Sequence, residues 1–418
     1  MSKNNKGNVF AIAIMFFLFA MISFVTGLQN PMGIIAKAQF GATNLMSQLG
    51  NAANFIAYAF MGLPAGFLLK GKGYKFTALA AVTIGFVGVG ISYLSGVFSS
   101  FVIYLLGAFV SGFSMCMLNT VVNPLLNTLG GGGNRGNQLI QLGGSCNSLA
   151  ATIVPVLAGY LIGEVTEKTQ VADVNPALFI AMAIFALAFA IIFFSNIPEP
   201  ELEAAKEAGE VKKEGTLASI KGALSHRNLV FGVIAIFLYV GIEVGIPNVA
   251  NLYMTSADGL GLAAGVAGAL VGAYWFLMLC GRLIGGAIGG KVSSRAMMIS
   301  VSSAAIVFIL LGMFLPSEWT INVLEANVPV AIFFFVLCGL CTSVMWGAVF
   351  NLAVEGLGIY TSIASGLFMV MVCGGGILPL VQGAVADKAG YINSYWVLIA
   401  ALAYILWFAL IGSRTNKE

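Results

Sequence analysis

Glu243 is the residue at which chemistry is first expected. Of the sixteen Asp and Glu residues in the chain, it alone stands well inside an apolar stretch, while Glu355 and Asp387 fall at the ends of such stretches and the rest in polar segments. A carboxylate at that depth costs several kcal/mol if charged and unpaired, so it must be protonated, ion-bound or hydrogen-bonded. Glu243 is therefore a candidate cation site. A protonated Glu that only hydrogen-bonds a neighbouring helix is the alternative. Pro247, four residues on, is expected to open the helix and free carbonyls for a solute or cation.

Amides give the second signal. Asn119, Asn123 and Asn127 recur every four residues, so they share one helix face that offers both donors and acceptors. A hydroxylated, uncharged solute needs many paired hydrogen bonds and a ring to stack on. Gln29, Asn30, Asn119, Asn123, Gln141, Asn147, Asn248 and Asn251 could supply the first, and Tyr274, Trp275 or Trp346 the second. The competing role is interhelical glue, at about 0.6 kcal/mol per bond, and half of these residues are expected to be glue. No Lys or Arg is expected at mid-membrane. Arg282, in GRLIGG, is read near the inner end of its helix, either as a gating salt-bridge partner or as a snorkelling side chain.

Other chemistries find little support. All six cysteines fall within predicted helices, where they act as small apolar residues, and Cys338-x-x-Cys341 lacks a second ligand pair, so neither a metal nor another cofactor is expected. His226, the only histidine, falls in a polar linker. The Gly131–Gly133 run is followed by Asn134 and Arg135 without a preceding strand, so it reads as a flexible turn and not a phosphate cradle. Most of the 52 glycines read as close helix contacts. No nucleophile–base pair of an enzyme is visible at membrane depth.

The elements that position these residues must be membrane helices. With 418 residues, 59% hydrophobic and 8% charged, and a mean hydropathy of +0.98, the chain has too little polar surface to cover a soluble globule. Twelve apolar stretches are predicted as spans, near 8–30, 45–69, 76–97, 99–126, 138–163, 174–196, 227–254, 260–289, 295–315, 326–354, 360–384 and 390–412. The first is too long for a signal peptide and no small-residue cleavage site follows it, so it is read as a retained helix. Lys and Arg gather in alternate loops, with only Lys37, Lys168 and Lys388 on the other side, which predicts cytoplasmic termini. That bias accounts for the net charge of +3 without nucleic acid. Residues 197–226, with a dense run of Glu and Lys, are predicted to be a cytoplasmic linker between an N-terminal six-helix bundle (1–196) and a C-terminal one (227–418).

The two bundles are weakly alike. Gly112 through Asn123 and Pro124 to Leu129-Gly130 is echoed by Gly339 through Asn351 to Leu357-Gly358, and Pro155 with Gly159 by Pro379 with Gly383. Two such bundles about an axis along the membrane normal are the architecture of major facilitator carriers, with a midplane site between the halves. The stretches LQNPMG at 28–33, LPAGFLLKGKGYK at 63–75, LNTVVNPLLNTLG at 118–130, CNSLAATIVPVLAG at 146–159, FLYVGIEVG at 237–245, VFNLAVEGLG at 349–358 and CGGGILPLVQGAVAD at 373–387 resemble the fucose–galactose–glucose:proton symporter branch of that superfamily. The resemblance implies an all-α membrane protein with the major facilitator fold, residing in a bacterial inner membrane. It further implies a sugar permease. An amide and aromatic site with one carboxylate and no midplane Lys or Arg favours a neutral hexose or deoxyhexose, with Glu243 as the expected coupling site for a proton or sodium, and a monomer is expected.

Departures from that branch accompany the likeness. Asn30 aligns with the fucose symporter's Asp in the first helix, Asn119 stands where it has a functionally required Glu, and Gly144 stands where it has a Gln. Its coupling and sugar contacts are therefore not carried over. An anionic or amino sugar such as sialic acid, an uncoupled uniporter, and a non-transporting receptor or membrane-embedded enzyme are the weaker alternatives.

Overall fold

The computed structural model describes residues 2–27, 39, 49–162, 170–200, 202–203, 216–256 and 258–415, so Gln29, Asn30 and most of the charged run in the linker lie outside the described residues. The described chain is helical almost throughout, as a backbone must be when no water reaches its amides. In order come α1 (Ser2–Gly27), α2 (Leu49–Val97), α3 (Phe101–Leu129), α4 (Gly133–Ile162), α5 (Asn175–Phe194), the short α6 (Thr216–Leu224), α7 (Arg227–Thr255), α8 (Ala264–Ile288) and α9 (Ser294–Phe314). A hairpin of β1 (Thr320–Val323) and β2 (Ala326–Pro329) precedes α10 (Val330–Thr342), α11 (Met345–Val354), α12 (Thr361–Met371), α13 (Gly374–Ala389) and α14 (Tyr395–Trp407). Among the described residues, ten stretches are long and apolar enough to cross a membrane. One of them, Ala53–Val97, holds two of the predicted spans, and α4, polar at its start, supplies the last of the expected twelve.

Two spans depart from simple rods, each for a local reason. In α2, Gly73 adopts φ 83° and ψ −179°, which folds the element into limbs 49–72 and 74–97 where a six-residue loop was predicted. Glu199 caps the second limb, accepting from the backbone N–H groups of Tyr74 at 2.6 Å and Lys75 at 2.8 Å. The Lys75 ammonium in turn donates to the carbonyl of Ser195, just past α5, at 2.7 Å. The tenth span begins at Val330 and not at 326, because residues 326–329 pair with β1.

That tenth span is also interrupted between α10 and α11. Thr342 Oγ1 bonds back to the carbonyls of Cys338 and Gly339, both at 3.2 Å, and Ser343 Oγ to that of Leu340 at 2.6 Å. Such hydroxyls compete with the helical ladder and bend it. Gly339 adds to the effect by admitting the backbone carbonyl of Tyr274, which any Cβ there would strike.

The chain divides into two compact units, one of residues 1–129, 146–223 and 357–370, the other of residues 130–145, 224–356 and 371–418. In the first unit α3 is the central helix, buried almost continuously from Met115 to Asn127. Small residues let α2 and α12 close on each other, since a Cβ on Gly66 would come within 3.0 Å of the Gly366 Cα. In the second unit α7 is the buried helix, with Gly241 lying under Leu378 and Gly374 under the Phe237 carbonyl.

Candidate functional site

In the second unit the intramembrane acid has a partner that the sequence reading did not foresee. Glu243, at mid-length in α7, lies 3.4 Å from Arg282 Nη2 on α8, with the two side chains 16% and 13% exposed. Arg282 Nη1 donates to the carbonyl of Gly144 on α4 at 3.1 Å, and its Nε to the carbonyl of Ser343 at 3.4 Å. The guanidinium is thus turned to the acid and away from its own helix end. One cation joins α4, α7, α8 and the α10–α11 break. A buried pair of this kind adds little net stability, but either partner left alone is a desolvated charge.

The carbonyl of Glu243 is part of the same arrangement. Pro247 has no N–H to give to the residue four positions earlier, so the Glu243 carbonyl loses its helical donor. Tyr274 supplies one, its hydroxyl donating to that carbonyl at 3.1 Å and sharing a second bond of 3.1 Å with Thr342 Oγ1. The freed carbonyl that sequence anticipated for a solute or cation is therefore taken by a tyrosine. Tyr239, one turn before Glu243 on the same face, lies beside the pair with its hydroxyl outside hydrogen-bond geometry to either member. Its ring stands 6.2 Å from that of Trp346, tilted by 58°.

Gln141, expected as a sugar contact, is 2% exposed. Its Nε2 donates to the Val344 carbonyl at 2.7 Å and to Asn137 Oδ1 at 3.3 Å. Asn248 and Asn251 are exposed on α7, and Trp275 is 41% exposed with its ring edge-on to Tyr274 at 5.3 Å.

The first unit holds the neutral amides. Asn119 Nδ2 donates to the Tyr58 hydroxyl at 3.0 Å and to the Met115 carbonyl at 3.1 Å, while Asn123 Nδ2 donates to the Asn119 carbonyl at 2.9 Å. Asn127 is buried on the same face with no partner for its Oδ1 among the described residues. Asn147 on α4 bonds across to the Phe19 carbonyl on α1 at 2.9 Å, which is the geometry of interhelical glue. A cavity of about 220 Å³ near this contact is lined only by apolar side chains, among them Phe17, Phe24, Ile153 and Ile184, and offers a sugar no hydrogen bonds.

Two sets of predicted residues are thus brought together, Asn119 with Asn123 in one unit and Gln141, Glu243, Tyr274 and Arg282 in the other, with Trp346 close by. Sequence reasoning missed Tyr58, Tyr239 and the break at Ser343–Val344. Tyr239 carried a signal, standing four residues before the acid in FLYVGIEVG. Tyr58 carried none. Among the described residues no cluster of three or more His, Cys, Asp and Glu could hold a metal ion.

The sequence matches the family model described as Major Facilitator Superfamily over residues 12–380. It is 29% identical to a glucose/galactose transporter of Brucella abortus, covering 99% of this chain and 96% of that one. A putative glucose/galactose transporter of Helicobacter pylori is 27% identical, with 98% of each chain covered. The fold is similar to the crystal structure of the Escherichia coli fucose:proton symporter, with a TM-score of 0.84 at 21% identity, over 98% of this chain and all of that one.

Proposed function

The chain belongs to the Major Facilitator Superfamily, and from that premise we propose that it is a secondary carrier of a neutral hexose or deoxyhexose, of the glucose, galactose and fucose class, working by alternating access. The observation that carries this reading is the nearly end-to-end likeness to two bacterial proteins named as glucose/galactose transporters. The chemistry of the site agrees with a neutral solute. Arg282 is already committed to Glu243 and two carbonyls, so no cation stands open to an anionic sugar in that cluster. The amide face of Asn119 and Asn123, with the Tyr58 hydroxyl, offers the mixed donors and acceptors that sugar hydroxyls need.

Coupling to a proton or sodium is assigned to Glu243. A cation arriving there competes with Arg282 for the carboxylate, so occupancy of the acid and the grip of the guanidinium are alternatives. Both termini and the 197–226 linker are assigned to the cytoplasm on the distribution of Lys and Arg, and a monomer in a bacterial inner membrane is proposed on the likeness to the bacterial sugar transporters. The six-helix bundles 1–196 and 227–418 are the bodies proposed to rock.

Uptake of radiolabelled glucose, galactose and fucose into proteoliposomes under imposed proton and sodium gradients tests the reading. Accumulation driven by one gradient is expected and names the ion. Equilibration without concentration would replace symport by uniport, and no transport of any of the three would reject the neutral-sugar assignment.

A further inference from the structure

The break between α10 and α11 is held by two side chains from other helices. Gln141 Nε2, from α4, reaches the Val344 carbonyl at 2.7 Å, shorter than the 3.2 Å bond that the same carbonyl accepts from the backbone N–H of Ala348. Arg282, from α8, reaches the Ser343 carbonyl. Beyond the break, α11 is a buried ten-residue block with further clasps. Asn351 Nδ2 donates to Ser294 Oγ at 2.9 Å. At its far end Asn228 Nδ2 lies within 2.9–3.3 Å of the carbonyls of Leu352, Ala353 and Glu355, the groups a helix C-terminus leaves without donors. Only Trp346 among its residues is more than slightly exposed, and it stands two positions past the Val344 carbonyl.

We infer that Gln141 is a positioning residue for transport and not a sugar contact: with Arg282 it clasps the hinge at Ser343–Val344, so that α11 and Trp346 swing only when that clasp opens. This rests on the carrier reading above. The hinge is built in by the back-bonding hydroxyls of Thr342 and Ser343, which bend the helix at this point. An amide with no other demand than Asn137 Oδ1 and one carbonyl makes a bond strong enough to hold and weak enough to release. Arg282 ties the same hinge to Glu243, so movement at the acid reaches Trp346 through one guanidinium.

Hydrogen exchange by mass spectrometry on the full-length protein in proteoliposomes, with galactose counterflow measured in parallel, tests the clasp. Gln141→Met keeps the length and removes the donor. It should speed exchange of the peptide spanning 343–349 about tenfold, the worth of one such bond, with the rest of the protein unchanged. Counterflow should change at least severalfold in maximal rate and little in KM. Gln138→Met, which removes an amide bond to the Gly286 carbonyl one turn away, should leave the 343–349 peptide as in wild type. Ser343→Ala, which removes a hydroxyl that bends the helix, should slow its exchange, and this variant decides the matter if Gln141→Met does not fold. Unchanged exchange at 343–349 in Gln141→Met, a rise spread over the whole chain, or unchanged or faster exchange in Ser343→Ala overturns the clasp. Wild-type protein that carries no galactose, fucose or glucose overturns the neutral-sugar reading instead, and with it the role in transport of such a sugar.

Discussion

In the first unit Pro124 withholds an N–H from the carbonyl of Thr120, and Ser365 Oγ supplies the missing donor at 3.0 Å. In the second unit Pro247 does the same to Glu243, and Tyr274 supplies the donor at 3.1 Å. The backbone problem and its solution are alike, since an orphaned carbonyl buried away from water needs a hydroxyl brought from another helix. What differs is the side chain on the orphaned residue. Thr120 turns its hydroxyl back on the Cys116 carbonyl at 2.9 Å and is complete by itself. Glu243 is not, and draws in Arg282, through which Gly144 and Ser343 are drawn in as well. Around Pro124 the first unit therefore satisfies its polar groups in local, separable bonds. Around Pro247 the second satisfies them as one coupled set, in which removing Arg282 or Tyr274 strands a group of Glu243.

Substitutions should reveal that contrast in graded steps. Arg282→Met, which strands the Glu243 carboxylate, is expected to cost about 3–5 kcal/mol, read as a lowered thermal midpoint in detergent. Adding Glu243→Gln to it should recover most of the loss, and a double variant no more stable than the single one would mean that the two residues do not act as a pair. Tyr274→Phe orphans the Glu243 carbonyl and should cost about 1–3 kcal/mol. It should also alter sugar transport, because that carbonyl belongs to the residue bearing the acid. Ser365→Ala orphans the Thr120 carbonyl and should cost about the same or less, with transport kinetics unchanged. Equal effects of the two on transport would erase the distinction between the units. Asn147→Ala, which removes one interhelical bond to the Phe19 carbonyl, should cost about 0.6 kcal/mol and leave apparent sugar affinity as it was. A large loss of affinity there would return Asn147 to the binding residues.

The helices were legible because their signal is spread over twenty residues at a time, and no single side chain had to be interpreted correctly. Twelve spans followed from hydropathy. The breaks in them did not, since each depends on one or two residues: Gly73 at positive φ, or the Thr342 and Ser343 hydroxyls turned back on their own helix. Glu243 could be singled out because an acid is rare at that depth. Its partner could not, since the reach of Arg282 depends on how α8 packs on α7, and a basic residue near a helix end is equally well explained by snorkelling. Amides were the hardest to sort. Asn119 and Asn147 look alike in sequence, yet one meets a tyrosine hydroxyl that is itself a donor and acceptor, and the other a backbone carbonyl that simply joins two helices.

The most direct test of coupling through the acid of the second unit compares wild type with Glu243→Gln in proteoliposomes, measuring gradient-driven accumulation and gradient-free exchange of radiolabelled galactose side by side. Gln keeps a hydrogen-bonding group within reach of Arg282 while removing the charge. Accumulation should vanish and exchange should persist. Accumulation at the wild-type level would remove Glu243 from coupling and leave its pair with Arg282 as a structural link.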